Sequence, residues 1–311
     1  MEFFHKKTKF PFMGTRRRWY VVSTVLIVAA LVSLGFRGLN FGIDFTGGVV
    51  LELKFPHAVD IEKVRGSIEK AGFAHAAVQS FGSPNDVMVR LLPQAGEDTN
   101  KVAASVLETI RASEPTVQLL RTEVVGPQVG AELANKGAMA ILFTFIGILI
   151  YVALRFQWKL GVGAIVAALH DPVIILGFFS ESQMTFDLPA LAAILAVIGY
   201  SLNDTVVVFD RIRERFLSER KGTPAQVIDL AINETLSRTI MTHLTTMITI
   251  MALLVFGGVV LRGFSAALAI GVIVGTYSSI YIASAIALDL KLTARDLLPV
   301  HREKGAVDDM P

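Results

Sequence analysis

The chain has 311 residues, 53% of them hydrophobic and 18% charged, with a mean hydropathy of +0.57. That profile is integral-membrane and needs no nucleic-acid partner; the net charge of +2 says less than where the positive residues lie. With no cysteine, disulfides, thiol nucleophiles and thiolate metal sites are excluded.

Residues 1–18 read as a basic segment carrying Lys6, Lys7, Lys9, Arg16, Arg17 and Arg18, followed by the apolar run WYVVSTVLIVAALVSLGF over 19–36. Such a run predicts a first membrane span. A cleaved signal peptide is the alternative, but the run exceeds a usual signal core and SLG fits an A-x-A site poorly.

The pattern then becomes that of a small soluble domain, expected over 37–136. VVLELKF (49–55) alternates as a strand, and DIEKVRGSIEKAG reads as a helix capped by Asp60 and ended by Gly72. AAVQSFG and DVMVRLL make two strands around an SPND turn. NKVAASVLETIRASE gives a second helix and VQLLRTEVV a last strand. The order βαββαβ predicts a ferredoxin-like α+β domain, which many functions share.

Two glycine-rich junctions frame this domain: NFGIDFTGG (40–48), with Gly42, Asp44, Gly47 and Gly48, and VGPQVGAEL (125–133), with Gly126, Pro127 and Gly130. Neither carries a phosphate-loop or dinucleotide fingerprint, and a strand follows the first where a phosphate loop needs a helix. They are expected to supply turns where the domain meets the bilayer, with a hinge as the alternative.

Five further apolar segments follow, at about 137–154, 160–180, 188–209, 238–257 and 264–289, completing a five-helix region over 137–289 and a tail over 290–311. Arg155 and Lys159, the cluster Arg211, Arg213, Arg215, Arg220 and Lys221, and the tail residues Lys291, Arg295, Arg302 and Lys304 all fall on the side of the N-terminus. The opposite short loops hold Glu181, Asp187 and the single Arg262. The positive-inside rule therefore predicts a cytoplasmic location for both termini and the opposite side for 37–136.

Ionisable groups inside spans are candidates for function, because a carboxylate there costs roughly 2.5–3.5 kcal/mol even on the gentlest insertion scale. Asp204, with Asn203, lies in SLNDTVV, about 7–8 Å inside the end of its span at Phe209. Arg238 is expected near the start of the returning helix, at a shared depth. A carboxylate that meets a guanidinium in one conformation and apolar surroundings in another can take a proton in one and lose it in the other. Arg238, Thr242, Thr245, Thr246 and Thr249 share one helical face, which fits a hydrated pathway or interhelical hydrogen bonding. His170 and Asp171 precede Pro172 and suit either proton handling or support of a helix break. His243 suits a hydrogen-bonded bundle residue better than a relay. No triad, zinc motif or other enzymatic constellation emerges, and no cofactor is expected.

FGIDFTGG, VGPQVGAEL, LHDPVI, GYSLNDTVVVFDRIRE and NETLSRTI occur in an order that resembles the SecF members of the SecD/SecF family, of the resistance-nodulation-division superfamily. The resemblance covers nearly the whole chain. It implies a multi-pass protein of the bacterial inner membrane with a periplasmic domain, partnered by a SecD-like subunit, the SecYEG channel and YajC-like accessory proteins. It also implies use of the proton gradient for late, ATP-independent export of unfolded preproteins. Asp204 and Arg238 match positions that the family uses in proton conduction. His243 departs from the small residue of the family pattern, which leaves room for an altered proton path or an altered pKa there. The exposed polar face of spans four and five is expected to meet the SecD-like chain.

Overall fold

The computed structural model describes residues 8–73, 76–81, 83–92, 98–219, 222–258 and 260–298. Lys6, Lys7, Arg220, Lys221, Arg302 and Lys304, used above for orientation, lie outside the described residues, as do residues 299–311 of the predicted tail.

The first span is α1 (Arg16–Arg37), followed by a single helical turn, α2 (Ile43–Thr46). Next come β1 (Gly48–Lys54), α3 (Ile61–Lys70), β2 (Ala77–Phe81), β3 (Ser83–Leu91), α4 (Thr99–Ser113) and β4 (Gln118–Val125). The strands pair antiparallel in the order β2-β3-β1-β4, which is compatible with the expected ferredoxin-like arrangement. Alternation sends Val49, Leu51 and Leu53 of β1 into a core with Val87, Val89 and Leu91 of β3. Helices α3 and α4 close that core with Ile68, Val106 and Ile110. The Asp60 side chain caps α3 through the Glu62 amide at 3.1 Å. The SPND segment, expected as a turn, instead opens β3. Its Asn85 carbonyl accepts from the Phe55 amide at 2.8 Å, so the backbone there is already paired.

Five more apolar helices follow: α5 (Pro127–Arg155), α6 (Trp158–Ser182), α7 (Leu188–Ser218), α8 (Pro224–Phe256), and a composite of α9 (Arg262–Tyr277), a π-helical turn (Ser278–Ala283) and α10 (Ser284–Asp289). Several outrun their apolar runs because capping, rather than hydropathy, ends them. Gly126 caps α5 and Pro127 starts it at 127 rather than 137, so PQVGAEL of the second junction is helix and not a turn. Thr223 and Gln226 form a capping box that starts α8 at 224 rather than 238. Arg238 consequently sits well inside α8, not near its start. Beyond the apolar runs, Glu234 of α8 ties two arginines of α7, accepting from Arg211 at 2.7 Å and Arg215 at 2.6 Å. Asp210, just past the apolar run of α7, meets Arg155 of α5 at 2.5 Å.

α6, α7 and α9 form the buried centre of the bundle, while α1, α5 and α8 leave long apolar faces exposed. Those faces carry residues such as Val25, Leu142, Phe143 and Ile248, as a lipid-facing surface requires. α1 docks on α6 at a point where a Cβ on Gly177 would lie 2.2 Å from the Ala30 Cβ, so only glycine permits that approach.

The chain's last described helix, α11 (Ala294–Leu297), is latched to the bundle by Lys159, whose Nζ donates to Asp296 at 2.7 Å and to the Lys291 carbonyl at 3.0 Å. Leu292 and Leu297 are fully buried behind this latch. The Lys159 hydrogen bond, assisted by Thr293, holds the Asp296 carboxyl down to about 2 from its ordinary 3.8. A depressed carboxyl stabilises the folded form fully above its unfolded value and loses that contribution as pH falls through its folded one. Amide exchange at Leu292 is therefore expected to accelerate as pH falls from about 4 to about 2 relative to other helix-end amides, and Asp296→Asn to remove that pH dependence.

Candidate functional site

α7 and α8 run side by side and enclose a polar groove of about 260 Å³, lined by Tyr200, Asn203, Asp204, Arg238, Thr242 and His243 among others. Seven residues singled out in the sequence, Thr245 and Thr246 included, thus meet at one place. Asp204 is 7% exposed, and its Oδ1 accepts from Thr239 Oγ1 at 3.1 Å. Its Oδ2 is buried and meets no hydrogen-bond partner within 3.5 Å among the described residues, although the Ser279 hydroxyl lies near enough to interact with the carboxylate. Such an atom is costly unless water, a proton or a moving partner satisfies it. Arg238 is exposed on the groove wall and makes no ion pair within 4 Å with Asp204, so the two share a groove without being a closed salt bridge.

The threonine face of α8 satisfies itself. Thr242, Thr245 and Thr246 donate back to the carbonyls of Arg238, Met241 and Thr242 at 3.1, 3.0 and 2.8 Å. Thr242, Thr245 and Thr249 remain exposed, which leaves a hydroxylated strip on the bundle surface. His243 points away from that strip. Its Nδ1 bonds Thr276 Oγ1 at 2.5 Å, and its ring stands 5.2 Å from Tyr200.

His170 and Asp171 lie outside the groove, in the buried centre, at 3% and 0% exposure. α6 continues without a break through Pro172, and both side chains bond other side chains rather than freed carbonyls. His170 Nδ1 lies 2.9 Å from Asp171 Oδ1, and His170 Nε2 lies 2.6 Å from Ser23 Oγ. Asp171 Oδ2 accepts from Ser201 at 2.5 Å and from Ser278 at 3.0 Å. Thr239, Ser23, Ser201 and Ser278 were not singled out in the sequence. The run TYSS (276–279), polar inside an apolar span, is the one signal that pointed to any of them.

At the domain end of the bundle the two glycine junctions pack on each other. Gly47 has φ +70, and a Cβ on it would lie 2.8 Å from Pro127 Cα; a Cβ on Gly130 would lie 2.6 Å from Gly47 N. Gly48, at φ +136, passes so close to Leu91 that a Cβ would lie 2.4 Å from its carbonyl oxygen. The incoming junction is also stitched to the loop between α6 and α7. Gly42 N donates to the Phe186 carbonyl and Phe186 N to the Asn40 carbonyl, both at 2.8 Å, and the Asp44 carboxylate accepts from Leu188 N at 2.9 Å. Above this seam the uncovered sheet face, with Val50, Glu52, Met88 and Arg90, roofs a cleft of about 560 Å³.

Residues 105–293 match the family described as protein export membrane protein SecD/SecF, C-terminal, and residues 32–55 match the SecD/SecF GG motif. The chain is 48% identical over 300 residues to the protein translocase subunit SecF of Pseudomonas aeruginosa, covering 96% of this chain and 97% of that one. It is 43% identical over 306 residues to its counterpart in Escherichia coli O157:H7, covering 98% and 95%. Among solved structures it resembles SecDF, a translocon-associated membrane protein from Thermus thermophilus, with a TM-score of 0.82 and 40% identity over 91% of this chain. It also resembles SecDF in a super-membrane-facing form, with a TM-score of 0.69 and 39% identity over 93%. In both cases the chain spans only 39% of the length of the solved one. The match to the GG motif falls on the tightly packed Gly47 and Gly48.

Proposed function

The chain belongs to the SecD/SecF family of protein export membrane proteins, with SecF translocase subunits as its relatives, and we propose that its α7–α8 groove moves protons to drive export. It is a multi-pass membrane protein with six apolar helices. In this reading it sits in the bacterial inner membrane with both termini cytoplasmic and the sheet domain periplasmic. Its partners are a SecD-like subunit, the SecYEG channel, YajC-like accessory proteins and an unfolded preprotein. The work done is late, ATP-independent export, drawn from the proton gradient.

The observation that carries this reading is Asp204, a buried carboxyl that lines a polar groove shared with Arg238 and whose Oδ2 meets no hydrogen-bond partner within 3.5 Å among the described residues. A purely structural carboxyl has no reason to stay half-satisfied in a bilayer, whereas a proton carrier must be open to gain and lose its proton. When Asp204 is protonated, Arg238 loses its attraction to the groove and the α7–α8 contact relaxes. When the proton leaves toward the cytoplasm, the guanidinium is drawn back. The hydroxylated strip on α8 is covered by the SecD-like subunit, which closes the outer side of the groove across a pseudo-symmetric interface. The shift reaches the domain through the seam formed by Gly42, Asp44, Gly47, Gly48, Gly126, Pro127 and Gly130.

The test is gradient-dependent release of a translocating preprotein from vesicles containing the full complex. Arg238→Met is expected to abolish the component of release that an uncoupler removes, and to leave complex assembly intact. Full gradient-dependent release in that variant would rule out the mechanism. A purely scaffolding subunit would instead lose assembly.

A further inference from the structure

We propose that the His170–Asp171 pair is a second proton-holding site inside the bundle, and that its charge sets the packing of the π-helical turn against α7. The proposal rests on the proton-driven reading of the groove and extends it to a place the groove does not reach. The first argument is position. Asp171 lies on α6 about 20 Å from the Trp158 end and about 17 Å from the Ser182 end, at 1.5 Å per residue, and so at mid-bilayer.

The second argument is proton counting. Asp171 receives the Ser201 and Ser278 hydroxyls on Oδ2 and the imidazole Nδ1 on Oδ1. A carboxylate so surrounded is fully satisfied without a proton of its own. The proton that can come and go is then the one on His170 Nε2, which faces Ser23. With it, the imidazolium and carboxylate form a neutral pair, and Nε2 donates to Ser23. Without it, Nε2 accepts from the Ser23 hydroxyl, and the site holds one uncompensated negative charge in the middle of the membrane. The Ser23 hydroxyl serves both states by rotating, so the pair can exchange one proton with water entering the bundle and leave no polar atom stranded.

The third argument is what the pair holds. Its hydroxyl partners come from three other elements, Ser23 on α1, Ser201 on α7 and Ser278 in the π turn. The next residue of that turn, Ser279, bonds Thr205 Oγ1 at 2.8 Å, directly after Asp204 in the chain. π turns inside helices concentrate at functional sites, because an extra residue per turn can be taken up or released. Gly275, just before the turn, lets α9 close on Ser201 and Asp171, since a Cβ there would lie 3.1 Å from the Ser201 Cβ. A net charge on the pair therefore acts directly on the contact that positions the Asp204 turn. Among the titratable side chains of these packed elements, Tyr277 stands against the pair, its ring 5.6 Å from the His170 ring; α7 also carries Tyr200 and Asp204, α1 carries Tyr20 and the π turn carries Tyr281. His170 is the only basic residue within 4 Å of Asp171 among the described residues.

The experiment is a pH titration of nitrogen-15 histidine signals in the full complex with its SecD-like partner, reconstituted in lipid nanodiscs, with His170 identified by its loss in His170→Gln. The expected result is that His170 Nε2 passes from protonated to bare within the range over which export responds to pH, and does so equally in Asp204→Asn. A His170 that keeps one protonation state throughout would overturn the proposal. Ser23→Ala, which removes the rotating hydroxyl, is expected to shift the pH midpoint of gradient-driven export at unchanged assembly; an unmoved midpoint would equally overturn it. The two readings fail separately. Unimpaired export in Asp204→Asn would remove the groove mechanism, whereas a silent His170 would remove only the pair.

Discussion

Asp204→Asn is expected to abolish gradient-driven export completely while leaving the complex folded and assembled at wild-type level or better. The variant keeps the size of the side chain, and an amide oxygen can still accept from Thr239, whose hydroxyl lies 3.1 Å from Oδ1 in the native chain. Loss of that single bond would in any case cost only about 0.5–1.5 kcal/mol. Against this, an aspartate inside a membrane helix costs up to roughly 2.5–3.5 kcal/mol, the value at the bilayer centre, relative to lipid-compatible residues. The native chain thus carries a carboxyl that its stability does not require, and removing the charge relieves that cost. A gain or no change in thermal stability together with total loss of the uncoupler-sensitive component of export would separate a proton carrier from a structural group. Loss of assembly at comparable activity per complex would point to a static role and end the mechanism. Asp204→Glu tests position: it keeps the titrating group but advances it by one methylene into the groove, so partial activity is expected.

Apolar run length was enough to read six membrane helices, because crossing a bilayer demands about 20 apolar residues and little else in the chain imitates that. Their ends were harder. α5 and α8 begin at Gly126-Pro127 and Thr223-Pro224, cap signals that stand outside the apolar runs and were outweighed by hydropathy. The error displaced Arg238 from the interior of a helix to its start, yet its groove with Asp204 survived, since both depend on helix face more than on helix end. Thr239 and the serines around Asp171 were illegible for a different reason. Whether a hydroxyl on one helix meets a carboxylate on another depends on the rotation and depth of both helices to within an ångström or two, and periodicity gives neither. His170 and Asp171 show the same limit from the other side. The proline beside them suggested a broken helix, but the fold closes α6 around Pro172 and turns both side chains toward neighbouring spans.

Gly130→Ala is expected to weaken the seam between the sheet domain and the bundle, although the same change elsewhere on α5 should do the opposite. In an ordinary helix, replacing glycine by alanine gains about 1 kcal/mol through reduced backbone freedom in the unfolded chain. At Gly147 nothing lies within 4 Å of the new Cβ, so Gly147→Ala should show that gain or no effect. At Gly130 the new Cβ would sit 2.6 Å from Gly47 N, 3.2 Å from Gly47 Cα and 3.3 Å from the Thr46 carbonyl carbon, all of them backbone that cannot rotate away. Overpacking of this kind costs about 1–3 kcal/mol, which exceeds the propensity gain at all but its lower limit. Gly47 cannot retreat, because its φ of +70 and its approach to Pro127 already require glycine. The strain must then open the contact between α2 and α5, and with it the hydrogen bond from Gly42 N to Phe186. Amide exchange over 42–47 is therefore expected to rise roughly 5- to 150-fold in Gly130→Ala, the range that corresponds to such a cost. Gly147→Ala should leave it unchanged. If the seam transmits motion between bundle and domain, the same variant loses gradient-driven export while Asp204 and Arg238 remain intact. Equal exchange in the two variants would mean that the junctions are not held by this contact.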